Sequence, residues 1–320
     1  MHSKVTRSGV AALLTLCLMM LAPVTLLTPH ELYKGYIATN VYHNPTITLA
    51  KPLALALFIV MLLVFHGAAL QKPSQRLAQR QGAPVAYGAR RWLIIAAVAL
   101  LAVLSALAKP SFTLCLLPSI GIYVAVCLVR KARFDYPLLF AGIVLPSICV
   151  LLWQYTFTYS DPEFQSQSSI IFAPFLVFGH YVATFGDGVI RFVMSIAFPA
   201  VVALLYLKEV LHDRALRLAW LLFWVGAAYS YLLAETGERA TDGNFLWCAQ
   251  IALYIVFVFT VRFMLLKYFP LGADSAASST VTSPPARMNI KPAVVALLFI
   301  VHVVCGVWWY AVHFNGVYVG

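Results

Sequence analysis

The sequence predicts an all-α fold, a polytopic bundle of nine transmembrane helices with the N-terminus in the cytosol and the C-terminus outside. Three observations carry this prediction. Hydrophobic residues make up 62% of the chain and charged residues only 10%, whereas a soluble domain carries roughly a quarter charged residues. The apolar residues fall in long continuous runs, each near the roughly 20 residues that a helix needs to cross a hydrocarbon core of about 30 Å. The basic residues then divide unevenly among the segments between the runs, as the positive-inside rule requires of a membrane protein. The runs do not alternate with period two, so helices, which satisfy their own backbone hydrogen bonds in lipid, are expected in preference to barrel strands.

The first span, Gly9–Thr28, follows Lys4 and Arg7 and resembles a signal sequence. Its apolar run is longer than a typical signal core and no small-x-small site follows, so an uncleaved anchor is expected. Pro52–Leu70 is next, entered through Asn44-Pro45 and Lys51-Pro52. Trp92–Ala108 and Ser111–Val129 are separated only by Lys109-Pro110, which predicts a tight hairpin. Pro137–Phe157 follows the basic cluster Arg130–Arg133. Val189–Leu207 begins beside Asp187 and Arg191, spaced for an i, i+4 pair. Leu218–Ala234, Trp247–Leu266 and Ala293–His313 complete the set, the last preceded by an Ala/Ser/Thr/Pro-rich connector at Gly272–Pro285. A further apolar stretch, Ile170–Phe185, is short and contains Pro174, Gly179 and His180, so an interfacial or re-entrant helix is expected there. No linker divides the chain, and residues 1–320 read as a single integral membrane domain.

With the N-terminus inside, 17 of the 22 basic residues fall in or near the cytosol. Counting 170–185 as a tenth span would nearly equalise the two sides, which argues against it. The net charge of +11 is thereby explained by topology, and its spread over many loops excludes a nucleic-acid face. Gln71–Arg91 is expected to lie against anionic headgroups. The six cysteines lie within the spans and read as small apolar residues. No His-rich motif points to a metal, no Gly-rich loop to a nucleotide, and no cofactor is indicated. Nearly charge-free spans disfavour an ion-coupled carrier, which places ionisable groups near the midplane.

Seven of the eleven acidic residues fall outside: Glu31, Asp161, Glu163, Asp187, Glu235, Glu238 and Asp242. Carboxylates obey no strong topological rule, so a polar site is expected to face outward. Candidate binding residues are His43, Asn44 and Lys51 in the first outer loop, Lys109 in the hairpin, and Glu235, Glu238, Arg239 and Asp242 in the loop before Trp247. Lysine and arginine would hold a phosphate, and a carboxylate would act as a general base. Each candidate also has a structural reading: Asn-Pro launches a helix, lysines snorkel, and loop carboxylates are solvated. His180 and His302 sit on apolar stretches and read as packing residues.

His43-Asn44-Pro45-Thr46 resembles the His-Pro-Pro-Leu entry into the second helix of the GT-C superfamily of multi-span glycosyltransferases. Leu104–Ser111, with Lys109 at its end, continuing through Leu116-Leu117-Pro118 to Arg130–Arg133, resembles that family's leu-leu-thr-lys helix, Leu-Pro helix and basic turn. The resemblance implies a protein of the plasma (inner) membrane that transfers or handles sugars on a polyprenyl-phosphate carrier at the outer face. It implies an outer carboxylate as base, Glu31 ahead of Asp161, and Lys51, Lys109 or Arg239 beside the departing lipid phosphate. The expected partners are membrane lipids and the lipid-linked sugar. A carrier-binding protein without chemistry and a small-solute transporter are the alternatives.

Overall fold

The computed structural model describes residues 2–25, 35–41, 44–65, 88–159, 169–237, 240–241, 243–269 and 290–314. The described residues are mostly helical. In order it forms α1 (His2–Met19), α2 (Pro45–Phe65), α3 (Ala89–Ala108), α4 (Pro110–Val129), α5 (Tyr136–Leu139), a π-helical turn (Phe140–Val144) and α6 (Leu145–Tyr159). Then come β1 (Ile170–Phe172), α7 (Leu176–Tyr181), α8 (Phe185–Leu205), α9 (Leu207–His212), α10 (Arg214–Leu232), β2 (Leu233–Glu235), α11 (Leu246–Tyr268) and α12 (Lys291–Phe314).

Among the described residues, eight segments are long and apolar enough to cross a bilayer: α2, α3, α4, the run Tyr136–Phe157, α8, α10, α11 and α12. They match the second to the ninth expected spans, and the protein is a multi-pass helical membrane protein. The first expected span differs. Its helix stops at Met19, leaving an apolar helical portion of only Gly9–Met19. Residues 21–25 are not helical, because Pro23 offers no N–H and neighbouring helices take over the backbone bonds: Ala22 N–H donates to the His302 carbonyl (3.1 Å) and Val24 N–H to that of Met194 (3.1 Å).

The chain divides into two compact units. Unit 1 comprises Met1–Tyr42, Tyr181–Ala219 and Leu253–Gly320. Its core packs the Phe198 ring, tilted, against Phe257 and Phe299, and sets the Phe257 ring edge-on to His302. His302 is fully buried: its Nδ1 lies 2.6 Å from the Ala22 carbonyl and its Nε2 accepts from Phe198 N–H (3.3 Å). It is the packing residue that the sequence suggests. The buried segment 35–41 folds back along residues 18–21, with the Asn40 amide donating to the Leu21 carbonyl (2.7 Å). Gly35 begins it at φ +74°, where a Cβ would lie 2.7 Å from the Val182 side chain. Asp187 and Arg191 pair at 3.0 Å, the i, i+4 bridge read from their spacing.

Unit 2 comprises His43–His180 and Trp220–Ala252. α2 starts at Pro45, seven residues before the expected Pro52, because Asn44 caps it. The Asn44 Oδ1 accepts from Ile47 N–H (3.3 Å) and from the Thr46 hydroxyl (2.6 Å), and Pro45 occupies the first helical position. The π-turn at Phe140–Val144 precedes Pro146. A proline ring collides with the carbonyl four residues back, and widening the preceding turn relieves that collision. At the other end of α3, the buried Arg91 guanidinium bonds the Asp135 carboxylate. Asp135 also caps α5 by accepting from Leu138 N–H (3.2 Å).

Residues 170–185 do not form one helix. Pro174 interrupts the stretch, so β1 pairs antiparallel with β2, Ile170 opposite Glu235 and Phe172 opposite Leu233. The six-residue α7 follows, and α8 begins at Phe185. The ribbon satisfies backbone groups that an interrupted helix would leave open.

Candidate functional site

Among the described residues, unit 2 contains a cavity of about 580 Å³ built where the α3–α4 hairpin, α6, the β1–β2 ribbon and the start of α11 meet. Ile148, Leu151, Leu152 and Tyr155 of α6 form one wall, Leu114 of α4 lies opposite, and Phe245 and Trp247 close the side at α11. Ile148, Leu152 and Tyr155 also belong to the exposed apolar surface, so the cavity adjoins the outer apolar face of the helices. Lys109, Ser111, Gln154, Glu235 and Asn244 supply the polar groups.

The tight hairpin positions Lys109. Its backbone is extended (φ −159°, ψ 108°), its N–H closes α3 on the Ser105 carbonyl (3.1 Å), and Pro110 starts α4 with the φ that a first helical residue needs. The side chain turns over Trp247, with the ammonium 4.8 Å from the ring centroid. The ring's negative face attracts the cation without neutralising it. Burial lowers the Lys109 pKa from the ordinary lysine value, since the charged form loses hydration.

Glu235 ends β2, and its Oε2 accepts from the Asn244 amide at 2.5 Å. Asn244 is held in turn by its carbonyl, which accepts from the Ser111 hydroxyl at 3.4 Å. Ser230 donates to the neighbouring Phe245 carbonyl (3.0 Å), tying the turn before α11 to α10. Gln154 donates its amide to the Ala106 carbonyl (3.3 Å), while its buried Oε1 has no hydrogen-bond partner among the described residues. A lining acceptor without a donor is a group that a bound hydroxyl or amide would satisfy.

Of the residues singled out in the sequence, Lys109 and Glu235 share this cavity. Asn44 does not line it and serves as a helix cap. Lys51 corrects the expectation of a residue at the mouth of a span: because α2 begins at Pro45, Lys51 lies nearly two turns inside the helix and is 2% exposed. Glu31, His43, Asp161, Glu238, Arg239 and Asp242 fall outside the described residues. Sequence reasoning did not put forward Gln154 or Trp247. Gln154 carries a signal, as the one amide in the fifth apolar run. Trp247 reads as an ordinary interfacial aromatic until the fold brings Lys109 over it.

The hairpin, the ribbon and the turn before α11 are the segments that the charge rule puts on one side of the membrane, and the fold gathers them at one cavity. The result is an apolar slot with a cation, a carboxylate and two amides at its rim, chemistry that suits an amphiphile with a polar, anionic head. No protein-family model, curated protein or solved structure matches the chain.

Proposed function

We propose that this protein takes a lipid-linked sugar phosphate into the Lys109 cavity and transfers or hands on the sugar at the outer face of the plasma membrane, in the manner of the GT-C glycosyltransferases it resembles. The observation that carries this reading is one cavity combining a lipid-facing apolar wall with Lys109 and Glu235 at the rim. In this reading the N-terminus is cytosolic and the cavity end faces outward, which requires a ninth crossing by the first apolar run, whose described apolar helix is only Gly9–Met19.

The isoprenoid tail lies along Leu114, Ile148, Leu151 and Leu152. The carrier phosphate meets the Lys109 ammonium, a point charge suited to phosphate oxygens. Gln154 and Asn244 are placed for sugar hydroxyls, and Trp247 offers a flat apolar face. In transfer, Glu235 accepts the proton of the acceptor hydroxyl as that oxygen bonds the anomeric carbon. The bond from the anomeric carbon to the phosphate oxygen breaks, and its electron pair leaves with the lipid phosphate, whose charge Lys109 stabilises. Glu31 and Asp161 are the other candidates for the base.

The test follows release of free lipid phosphate by purified protein in nanodiscs supplied with polyprenyl-phosphate sugars. Release in wild type, lost by about 10²-fold or more in Lys109→Ala and in Glu235→Gln, is the expected result. Retention of the carrier with no release would make the protein a carrier-binding one, as the mostly apolar lining also allows. Full activity in both variants would remove the assignment.

A further inference from the structure

A second polar cluster lies in unit 1, where α8 ends. Tyr206 breaks the helix (φ −128°, ψ 35°), α9 runs six residues, and Asp213 caps α10 by accepting from Leu216 N–H at 3.0 Å. Tyr206 is buried, and its hydroxyl lies 2.6 Å from that of Tyr268. Two ammonium groups approach the same Tyr206 ring, Lys267 at 4.9 Å and Lys291 at 5.7 Å from its centroid. Burial and the neighbouring Tyr268 hydroxyl raise the Tyr206 pKa, which keeps the Tyr206 phenol neutral beneath the two cations.

Among the described residues, two carboxylates balance this end only in part. Glu209 pairs with Lys267 at 3.1 Å and Asp213 with Arg262 at 3.1 Å. Against them stand Lys208, Arg214, Arg217, Arg262, Lys267 and Lys291 among the described residues. Arg217 keeps a buried Nε without a hydrogen-bond partner among those residues. Both pairs are partly exposed, and ion pairs open to water are weak enough for a phosphate to compete.

What lies beside the cations identifies the occupant. Leu204, Leu207 and Leu211 are each more than half exposed, as are Phe269 and Ile290. A free anion has no use for this apolar rim, whereas a phospholipid has acyl chains to lay against it. We propose that this cluster is a docking site for an anionic phospholipid: its phosphate sits between Lys267 and Lys291 above Tyr206, and its chains follow Leu204, Leu207 and Leu211. A phosphate monoanion has enough acceptor oxygens to accept hydrogen bonds from both ammonium groups. The site does not rest on the reading of the Lys109 cavity.

The experiment places the full-length protein in nanodiscs of phosphatidylcholine with a minor fraction of phosphatidylglycerol and counts the lipids that remain bound in native mass spectrometry. Wild type retains phosphatidylglycerol preferentially. The double variant Lys267→Gln/Lys291→Gln loses about fivefold in affinity for each lysine removed, about 25-fold in all. Lys267→Arg/Lys291→Arg retains the lipid, which shows that loss in the glutamine variant is not misfolding. Arg130→Gln/Arg133→Gln, an equal charge removal in unit 2, also retains it. Equal retention by the glutamine variant, or equal loss in the Arg130/Arg133 variant, would overturn the site. Displacement of the lipid by millimolar inorganic phosphate would also overturn it, because the cluster would then bind a soluble anion.

Discussion

The Lys109 ammonium lies 4.8 Å from the centroid of the Trp247 ring, joining the α3–α4 hairpin to the start of α11 at the rim of the cavity. The pair holds a cation in place while leaving its charge for a ligand. Trp247→Leu should keep the apolar wall but release the lysine, weakening binding of an anionic amphiphile about three- to tenfold. Titration of a fluorescent polyprenyl phosphate into wild-type and variant protein reads the difference.

Lys109 predicts opposite pH dependences for stability and binding. Burial sets its folded pKa below the 10.5 of the unfolded chain. Between the two values the unfolded state binds more protons, so the Lys109 contribution to stability rises with pH across that window. Anion binding falls over the same window as the ammonium is lost. Lys109→Arg keeps its charge throughout and should flatten both trends. Thermal unfolding and ligand titration from neutral to alkaline pH check the signs.

The Arg91–Asp135 pair is buried in unit 2, and Asp135 also caps α5. Asp135→Leu should cost about 3–5 kcal/mol by stranding a buried guanidinium. Arg91→Met/Asp135→Leu should cost less than Asp135→Leu alone, because neither charge is left unpaired. Denaturation in mild detergent measures both.

Gly306 of α12 packs on the end of α1 so closely that a Cβ would overlap the Met20 carbonyl. Gly306→Ala should destabilise by about 1–3 kcal/mol, since backbone must move to make room. Gly121→Ala, where nothing lies within 4 Å of the added atom, should be neutral or slightly stabilising. Melting temperatures of the two variants in one detergent decide the comparison.

Helix existence was legible because lipid imposes length and apolarity on every span. Among the described residues, eight of the nine expected spans correspond to helices that could cross. Boundaries were less legible where a local device intervenes: the Asn44 cap moved α2 seven residues earlier and drew Lys51 inside, and Pro23 ended α1 in favour of bonds to His302 and Met194. Pro174 was noticed as a helix breaker, but its consequence, the ribbon from Ile170 to Glu235, depends on a partner strand more than sixty residues away. The site was legible by residue type and not by grouping. Lys109 and Glu235 carry charge at span ends, whereas Trp247 and Gln154 acquire meaning only when the fold brings four segments to one cavity.

The most direct measurement is native mass spectrometry of the full-length protein from nanodiscs containing a polyprenyl-phosphate sugar, comparing wild type with Lys109→Gln. The cavity reading predicts one bound carrier per wild-type chain, lost in the variant while the fold is retained. A carrier that stays bound equally to both proteins, or to neither, would contradict it.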